Sequence, residues 1–224
     1  MAEQQGELKA FFKDHGTKIL VVLVVIVAIV TGVTQYKEHA KAAAQAEAAV
    51  LGQGMTLVYS GNDAAALQEL ESQINSNSLK GLSLAKASLL AGNIKFRNKD
   101  YDGAGALFKV ASANAGSADL ILSAALHGEA AVSIEKKDYA NAAKQLEAFI
   151  SKFGKRTGDL KARYQKDEAA DLAPTVADAY WKLALVYNAL NQNDKAKATA
   201  EKLLKIYGDK PEVVSKANKF LASI

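Results

Sequence analysis

The chain contains no cysteine. Disulfides, thiolate metal sites and cysteine nucleophiles are therefore excluded, and the redox compartment is left open. Proline occurs only twice, at Pro174 and Pro211, and aromatic residues make up 7% of the 224. After residue 36 there are none of the short β-branched runs and frequent turn signals that mark a β-sandwich. What remains is rich in alanine, the best helix former. The composition predicts an all-α chain. With the first 36 residues set aside, about 190 remain, enough for one domain with a sizeable core.

Charge of one sign is also lacking. There are 28 Lys and Arg against 24 Asp and Glu, a net charge of +4. No stretch gathers basic residues with interleaved aromatics, so a nucleic-acid partner is not expected. The charges read as solvated helix faces. No Asn-x-Ser/Thr sequon is present, which argues against a glycosylated ectodomain.

Catalytic chemistry is sparse as well. Three histidines occur, His15, His39 and His127. None forms an HExxH-type ligand pair. His127 is expected as a buried or partly buried spacer. Gly52-Gln53-Gly54 is a lone Gly-x-Gly in a helical stretch, better suited to close helix approach than to phosphate binding. Gly154-Lys155-Arg156-Thr157-Gly158 lacks the Walker order and its preceding strand. No nucleophile, base and acid stand together in sequence. The expectation is a protein that is not an enzyme, with no catalytic, cofactor-binding or metal site and no small-molecule substrate.

One feature is present in force. Ile19 to Val33 reads ILVVLVVIVAIVTGV without a charge. Extended from Thr17 to Tyr36 it gives ~20 residues, or ~30 Å of helix, the thickness of a bilayer core. Lys18 and Lys37 can snorkel at its ends, and Phe11, Phe12 and Tyr36 suit the interfaces. The rival reading is a cleaved signal peptide with Lys9, Lys13 and Lys18 as its n-region. Its small-residue site, Ala42-Ala43-Ala44, lies beyond Lys37, Glu38 and Lys41, too far past the apolar run. The sequence predicts an uncleaved transmembrane helix over 19–36. Lysine balance across the span favours a cytoplasmic tail over 1–18 and a translocated domain over 37–224. The span is expected to run on with little bend into the helix Glu38 to Tyr59, with no hinge over 34–42.

Behind the span lies a repeat. Lys99-Asp100-Tyr101 is followed by Ala104, Phe108 and Ala111. Lys137-Asp138-Tyr139 is followed by Ala142, Leu146 and Phe149, an offset of 38 residues. One further step back stand Ser60-Gly61-Asn62-Asp63, Ala66 and Leu70. A fourth unit places Tyr180, Leu183, Ala184 and Tyr187 before Ala196, Ala200 and Leu203. A small residue early in each second helix permits close crossing, and a larger one four later fills the groove. The turn carboxylate caps the incoming helix while the tyrosine ring packs back. Such pairs bury their faces only by stacking. The spacing matches helix–turn–helix units of the tetratricopeptide kind, whose period is usually ~34.

The predicted pairs are 36–59 with 63–75, 82–98 with 101–114, 117–137 with 139–153, and 174–190 with 194–207. Pro174 is expected in a first helical turn. A last helix over 211–222, with Val213, Val214, Ala217, Phe220 and Leu221 on one stripe, would cap the array. Gly154 and Gly208 are expected as left-handed helix stops. The period breaks once, at a charged insertion over 155–173. This reads as a solvated extension of the neighbouring helices; the alternative is a partner-facing lid.

Phe11-Phe12-Lys13-Asp14-His15-Gly16-Thr17-Lys18 leads directly into the apolar run, with alanine-rich helical repeats behind it. This arrangement resembles the bacterial YfgM type, ancillary subunits of the SecYEG translocon. Val176-Ala177-Asp178 is similar to that family's last repeat. The charged insertion is a departure from the family pattern, as is Tyr180-Trp181-Lys182-Leu183 in place of an Arg-Gly-rich stretch. The resemblance implies an inner-membrane protein with its N-terminus in the cytoplasm and its repeats in the periplasm. It implies partners: SecYEG, a membrane-anchored periplasmic chaperone of the prolyl-isomerase type, and emerging secretory chains. No catalytic residues come with it. The alternative of another class is a structural subunit of a different envelope assembly, such as a secretion, pilus or division complex.

Overall fold

The computed structural model describes the backbone of residues 2–166 and 168–224, and the side chains of 26, 29–43, 45–159, 161–166 and 168–224. All regular structure among them is helical. The helices are α1 Ala2–Tyr59, α2 Asp63–Asn75, α3 Gly81–Arg97, α4 Tyr101–Asn114, α5 Asp119–Glu135, α6 Tyr139–Phe153, α7 Leu160–Tyr164, α8 Val176–Ala189, α9 Asn193–Tyr207 and α10 Pro211–Leu221. The chain divides into two compact units, Met1–Ala48 and Ala49–Ile224.

The first unit is helix throughout its described backbone. Residues 34–42 are helical, so no hinge interrupts α1 there. The tail 1–18 and the side chains of 19–25, 27 and 28 lie outside the described residues, and with them most of the apolar run. Among the described residues no helix is long and apolar enough to cross a membrane. The described side chains of Ile26, Ile29, Val30 and Val33 are all exposed.

In the second unit the end of α1 pairs with α2, α3 with α4, α5 with α6, and α8 with α9. The 38-residue period survives as packing. Ala66, Ala104, Ala142 and Ala196, each early in a second helix, have no exposed surface. Opposite them the first helices carry Gly54, Gly92, Ala130 and Ala184. A Cβ added at Gly54 would sit 2.6 Å from Leu70 Cδ2. One at Gly92 would sit 2.8 Å from Phe108 Cε1, and one at Gly128 2.8 Å from Cε2 of the same ring. Phe108 is thus wedged between glycines of α3 and α5. Gly54 bears out the expected close approach. Gly52 does not, since nothing lies within 4 Å of its Cβ position.

The turns within the pairs share one design. Gly61, Lys99, Lys137 and Asn191 all adopt positive φ, 75°, 63°, 61° and 58°. The next N–H in each turn closes on a carbonyl five residues back, Asn62 on Leu57, Asp100 on Lys95, Asp138 on Ser133 and Gln192 on Tyr187. These are Schellman closures, which satisfy carbonyls left open at a helix end. Three of the four following residues then cap the second helix. Asn62, Asp100 and Asp138 accept from the N–H groups of Ala65, Gly103 and Asn141. The Tyr101 ring packs edge-on against Phe96, with centroids 5.4 Å apart.

Two glycine expectations are corrected. Gly154 leaves α6 in an extended conformation (φ −78°, ψ 119°), and Gly208 stays right-handed (φ −65°, ψ −6°). Left-handed stations stand instead in the turns inside each pair, at Gly61, Lys99, Lys137 and Asn191, and in the connections at Asn77, Gly81, Gly116, Gly158 and Lys166. At Gly154 the chain must instead feed straight into the insertion. Pro174 is corrected too: it precedes the cap residue Thr175, and α8 begins at Val176. Pro211 does occupy the first turn of α10, whose Ala217 and Phe220 are buried.

The insertion is not an extension of the neighbouring helices. It is a folded loop held on the C-terminal end of α9 by its own charges. The Glu168 side chain is 5% exposed and lies 2.6 Å from Arg163 Nε. The N–H groups of Thr157 and Gly158 donate to the same carboxylate, at 3.0 and 2.8 Å. Arg163 also donates to the Ile206 carbonyl and pairs with Asp209 at 2.8 Å. Asp171 accepts from the N–H groups of Lys155 and Arg156 and from the Tyr207 hydroxyl. Gly158 has φ 79°, and a Cβ there would meet the Lys205 carbonyl oxygen at 2.7 Å, so both conformation and space require glycine. Arg156, Arg163, Glu168 and Asp171 are thus internal partners, whereas Lys155, Lys161 and Lys166 of the same run are exposed.

Phe108→Ala should cost about 3–5 kcal/mol in urea unfolding, because the two glycines cannot close the gap. Lys99→Gly and Lys137→Gly should each gain about 0.5–1 kcal/mol by relieving the left-handed backbone. Asn191→Gly should gain less, since asparagine tolerates that region better. The Arg163 guanidinium and two backbone N–H groups hold the Glu168 carboxyl at about 2, below its ordinary 4.5. Its stabilising contribution is complete above the ordinary value and lost as pH falls toward 2. Glu168→Gln should therefore flatten the acid limb of the stability–pH curve measured by thermal melts.

Candidate interaction surface

The first helices of successive pairs lie side by side, α3 against α5 and α5 against α8. Their equivalent positions can be compared along the array. Leu51, Leu89, His127 and Trp181 occupy one register. Leu51 and Leu89 are buried, at 5% and 9% exposure, whereas Trp181 is half-buried. The apolar row therefore comes to the surface at the last pair.

His127 is half-buried, as expected of a spacer, but it also makes specific contacts. Its Nε2 lies 3.0 Å from Asp178 Oδ2 on α8 and 3.4 Å from Lys182 Nζ. Its ring stands 5.6 Å from that of Phe149. Lys182 pairs with Asp178 at 2.8 Å, one helical turn away. The His127 hydrogen bond, then Lys182, holds the Asp178 carboxyl far below the usual carboxylate range. This cluster locks the third pair to the fourth.

Beside it the surface is hollow. Ile134, Tyr139, Trp181, Lys182, Leu185 and Lys216 surround a space of about 400 Å³. A second space of about 200 Å³ continues past Trp181 between Pro174, Ala177, Val213 and Lys216. The Trp181 indole divides the two and meets Phe220 of α10 edge-on at 5.6 Å. Leu185 is 40% exposed at its rim. An accessible aromatic with apolar floor and charged rim is the composition of a binding hot spot.

A larger hollow, about 790 Å³, lies on the other side between α6 and α9. Its aromatic floor is already covered. Lys202 stands over Tyr180 at 5.6 Å and Lys195 over Tyr187 at 5.3 Å. The Tyr187 hydroxyl donates to Glu147, and burial followed by that carboxylate pushes it up to about 12. This groove offers polar surface, whereas the face around Trp181 offers a half-buried ring with no cation over it.

The other candidates from the sequence separate clearly. His39 is exposed on α1, and the His15 side chain lies outside the described residues. The N–H groups of 155–158 do form an anion cradle, but Asp171 and Glu168 of the same chain fill it. No three His, Asp or Glu side chains converge as metal ligands would among the described residues. Trp181 was not legible as a surface residue. The signal was there, a lone tryptophan in the register of His127 and Leu89, but burial at that register could not be read from one sequence.

The helix pairs have counterparts in solved structures. MamA is similar to this chain with a TM-score of 0.55 and 18% identity, covering 74% of this chain and 75% of that one. A second MamA structure, the RS-1 ArsTM double mutant, has a TM-score of 0.55 and 17% identity over 75% and 79%. A Podosopora anserina protein described as a kinesin light chain with nearly identical TPR-like repeats has a TM-score of 0.53 and 15% identity over 75% and 80%. At these identities the likeness is one of fold. No curated protein matches the chain in sequence. The tetratricopeptide repeat-like domain family matches residues 9–175, and a tetratricopeptide repeat matches 178–209. The first match alone takes in most of the sequence, and the chain belongs to the tetratricopeptide repeat-like domain family.

Proposed function

We propose that this protein is a single-pass membrane scaffold that binds protein segments on the face around Trp181. The observation that carries this reading is the emergence of the first-helix apolar row at Trp181, beside Leu185 and within a rim of Asp178, Lys182 and Lys216. Tetratricopeptide arrays offer extended surfaces for such segments. The anchor is supported by the uninterrupted apolar sequence 19–33 and by the exposed Ile26, Ile29, Val30 and Val33. The Thr34 hydroxyl donates to the carbonyls of Val30 and Thr31, as suits a helix in lipid. The family match begins at residue 9 and so includes the apolar run.

The partner reading is narrower. The Phe-Phe-Lys lead-in and Val176-Ala177-Asp178 favour an accessory subunit of the Sec translocon in an inner membrane. In that role the tail lies in the cytoplasm and the repeats in the periplasm. There they link the translocon to a membrane-anchored prolyl-isomerase-type chaperone and receive secretory chains. The protein is not an enzyme in this reading, and the anion cradle of 155–158 is filled by its own carboxylates.

A photo-crosslinker at Leu185 in native membranes should capture translocon and chaperone subunits. Trp181→Ala should weaken that capture about tenfold, ~1.4 kcal/mol. Stoichiometric recovery of a different envelope assembly would move the protein to the structural-subunit class. A topology reporter fused after Ile224 should be active only on the periplasmic side.

A further inference from the structure

The hollow of about 790 Å³ between α6 and α9 is bordered by basic sequence. Residues 139–158 and 193–207, which form its two walls and one end, hold eight Lys and Arg against three Asp and Glu. That surplus of five exceeds the +4 of the whole chain. Of the three acids only Glu147 lines the groove, and it accepts from the Tyr187 hydroxyl. Asp194 and Glu201 do not line it.

The cations differ in what they already hold. Arg156 is committed to Asp209 at 3.2 Å and to Glu168 at 3.7 Å, and Arg163 shares both carboxylates. Asp171 is taken up by the N–H groups of Lys155 and Arg156 and by the Tyr207 hydroxyl. The acids at this end of the groove are thus matched within the chain. Lys155, Lys195 and Lys202 are exposed, and their ammonium groups have no carboxylate partner among the described residues. Two of the three are held at the rim by tyrosine rings, Lys195 over Tyr187 and Lys202 over Tyr180.

Beneath the lysines the floor is apolar, with Ile150, Leu183 and Ile206 beside the two rings. Tyr180 and Tyr187 are each 7% exposed, too deep for a nucleic-acid base to stack on them. A concave groove also does not fit a flat lipid layer.

We infer that the groove between α6 and α9 takes an acidic segment of a partner protein, one in which carboxylates alternate with apolar side chains. The carboxylates meet Lys155, Lys195 and Lys202, and the apolar side chains lie on Ile150, Leu183 and Ile206. Because two of the lysines are already placed by the rings, less side-chain freedom is lost on binding. Exposed ion pairs are individually weak and screened by salt, so the groove selects by charge and releases its segment as salt rises. Neither the membrane anchor nor the face around Trp181 enters this inference.

Fluorescence anisotropy on the full chain in a neutral detergent tests it. The probe is a labelled dodecapeptide that alternates glutamate with valine, and its glutamine counterpart is the control. The glutamate peptide should bind saturably, at least about tenfold more tightly than the glutamine peptide. Lys155→Gln, Lys195→Gln and Lys202→Gln together should weaken it about tenfold, and arginine at the same three positions should restore it. Ala198→Phe sets a ring at the exposed lip of the groove without a change of charge and should weaken it as far. Lys80→Gln with Lys219→Gln, at exposed positions that do not line the groove, should change affinity less than about twofold. Every substituted side chain is exposed, and circular dichroism confirms that each variant is helical. No saturable binding of the glutamate peptide overturns the inference. Equal weakening by the Lys80 and Lys219 variant, which marks diffuse attraction, overturns it too, as does binding that survives Ala198→Phe. A labelled single-stranded DNA of equal charge that binds more tightly than the peptide, and is lost with the same three lysines, assigns the groove to nucleic acid and overturns it.

Discussion

Close crossing of paired helices is the constraint on which the second unit depends. Helix axes approach to within reach of a single side chain only where one partner has no bulk. The array meets this requirement four times, with alanine on each second helix and glycine or alanine on the first. The space so defined is then closed by Leu70, Phe108 and Leu146. Nothing else in the core is so demanding of shape. The three apolar clusters run in sequence along the chain and differ in composition, but each is organised around such a crossing. The Schellman turns follow from the same geometry. A chain that must reverse tightly at a fixed crossing needs a left-handed residue at a fixed place, even where that residue is lysine.

Much of this was legible in the sequence because it is local and periodic. Helices α2, α4 and α6 begin and end where the Asn62, Asp100 and Asp138 turns and the alanine spacing put them, since caps and crossings act within a few residues. The left-handed stop expected at Gly154 and the helix start expected at Pro174 were misread for the opposite reason. What decides them is the insertion, whose partners Ile206, Tyr207 and Asp209 lie far along the chain. The charge pattern of 155–173 looks the same whether its ions face water or one another. Distance in sequence, not weakness of signal, concealed the network.

The candidate surface shows the same division. The register that holds Trp181 could be counted, but its exposure could not. Leu51 and Leu89 at equivalent positions are covered by the next pair, while α8 is followed only by α9 and α10. The last first helix of a solenoid therefore presents what earlier ones bury, and its sequence at that position is free to become a recognition surface. His127, Asp178 and Lys182 fix the position of α8 so that the ring is presented in one place.

The Glu168 and Asp171 network has a further consequence for how the array comes apart. In a stack of near-neighbour units, unfolding starts where the end interface is weakest. At the C-terminal end the loop ties the connection between α6 and α8 to the last turn of α9, and the longest continuous cluster joins α5, α6, α8, α9 and α10. That half must open as one block. The pair formed by the end of α1 with α2 has no such staple and shares a smaller cluster. Fraying is thus directed toward the end where the chain enters the unit, and amide protection should rise from Ala49 toward Tyr207.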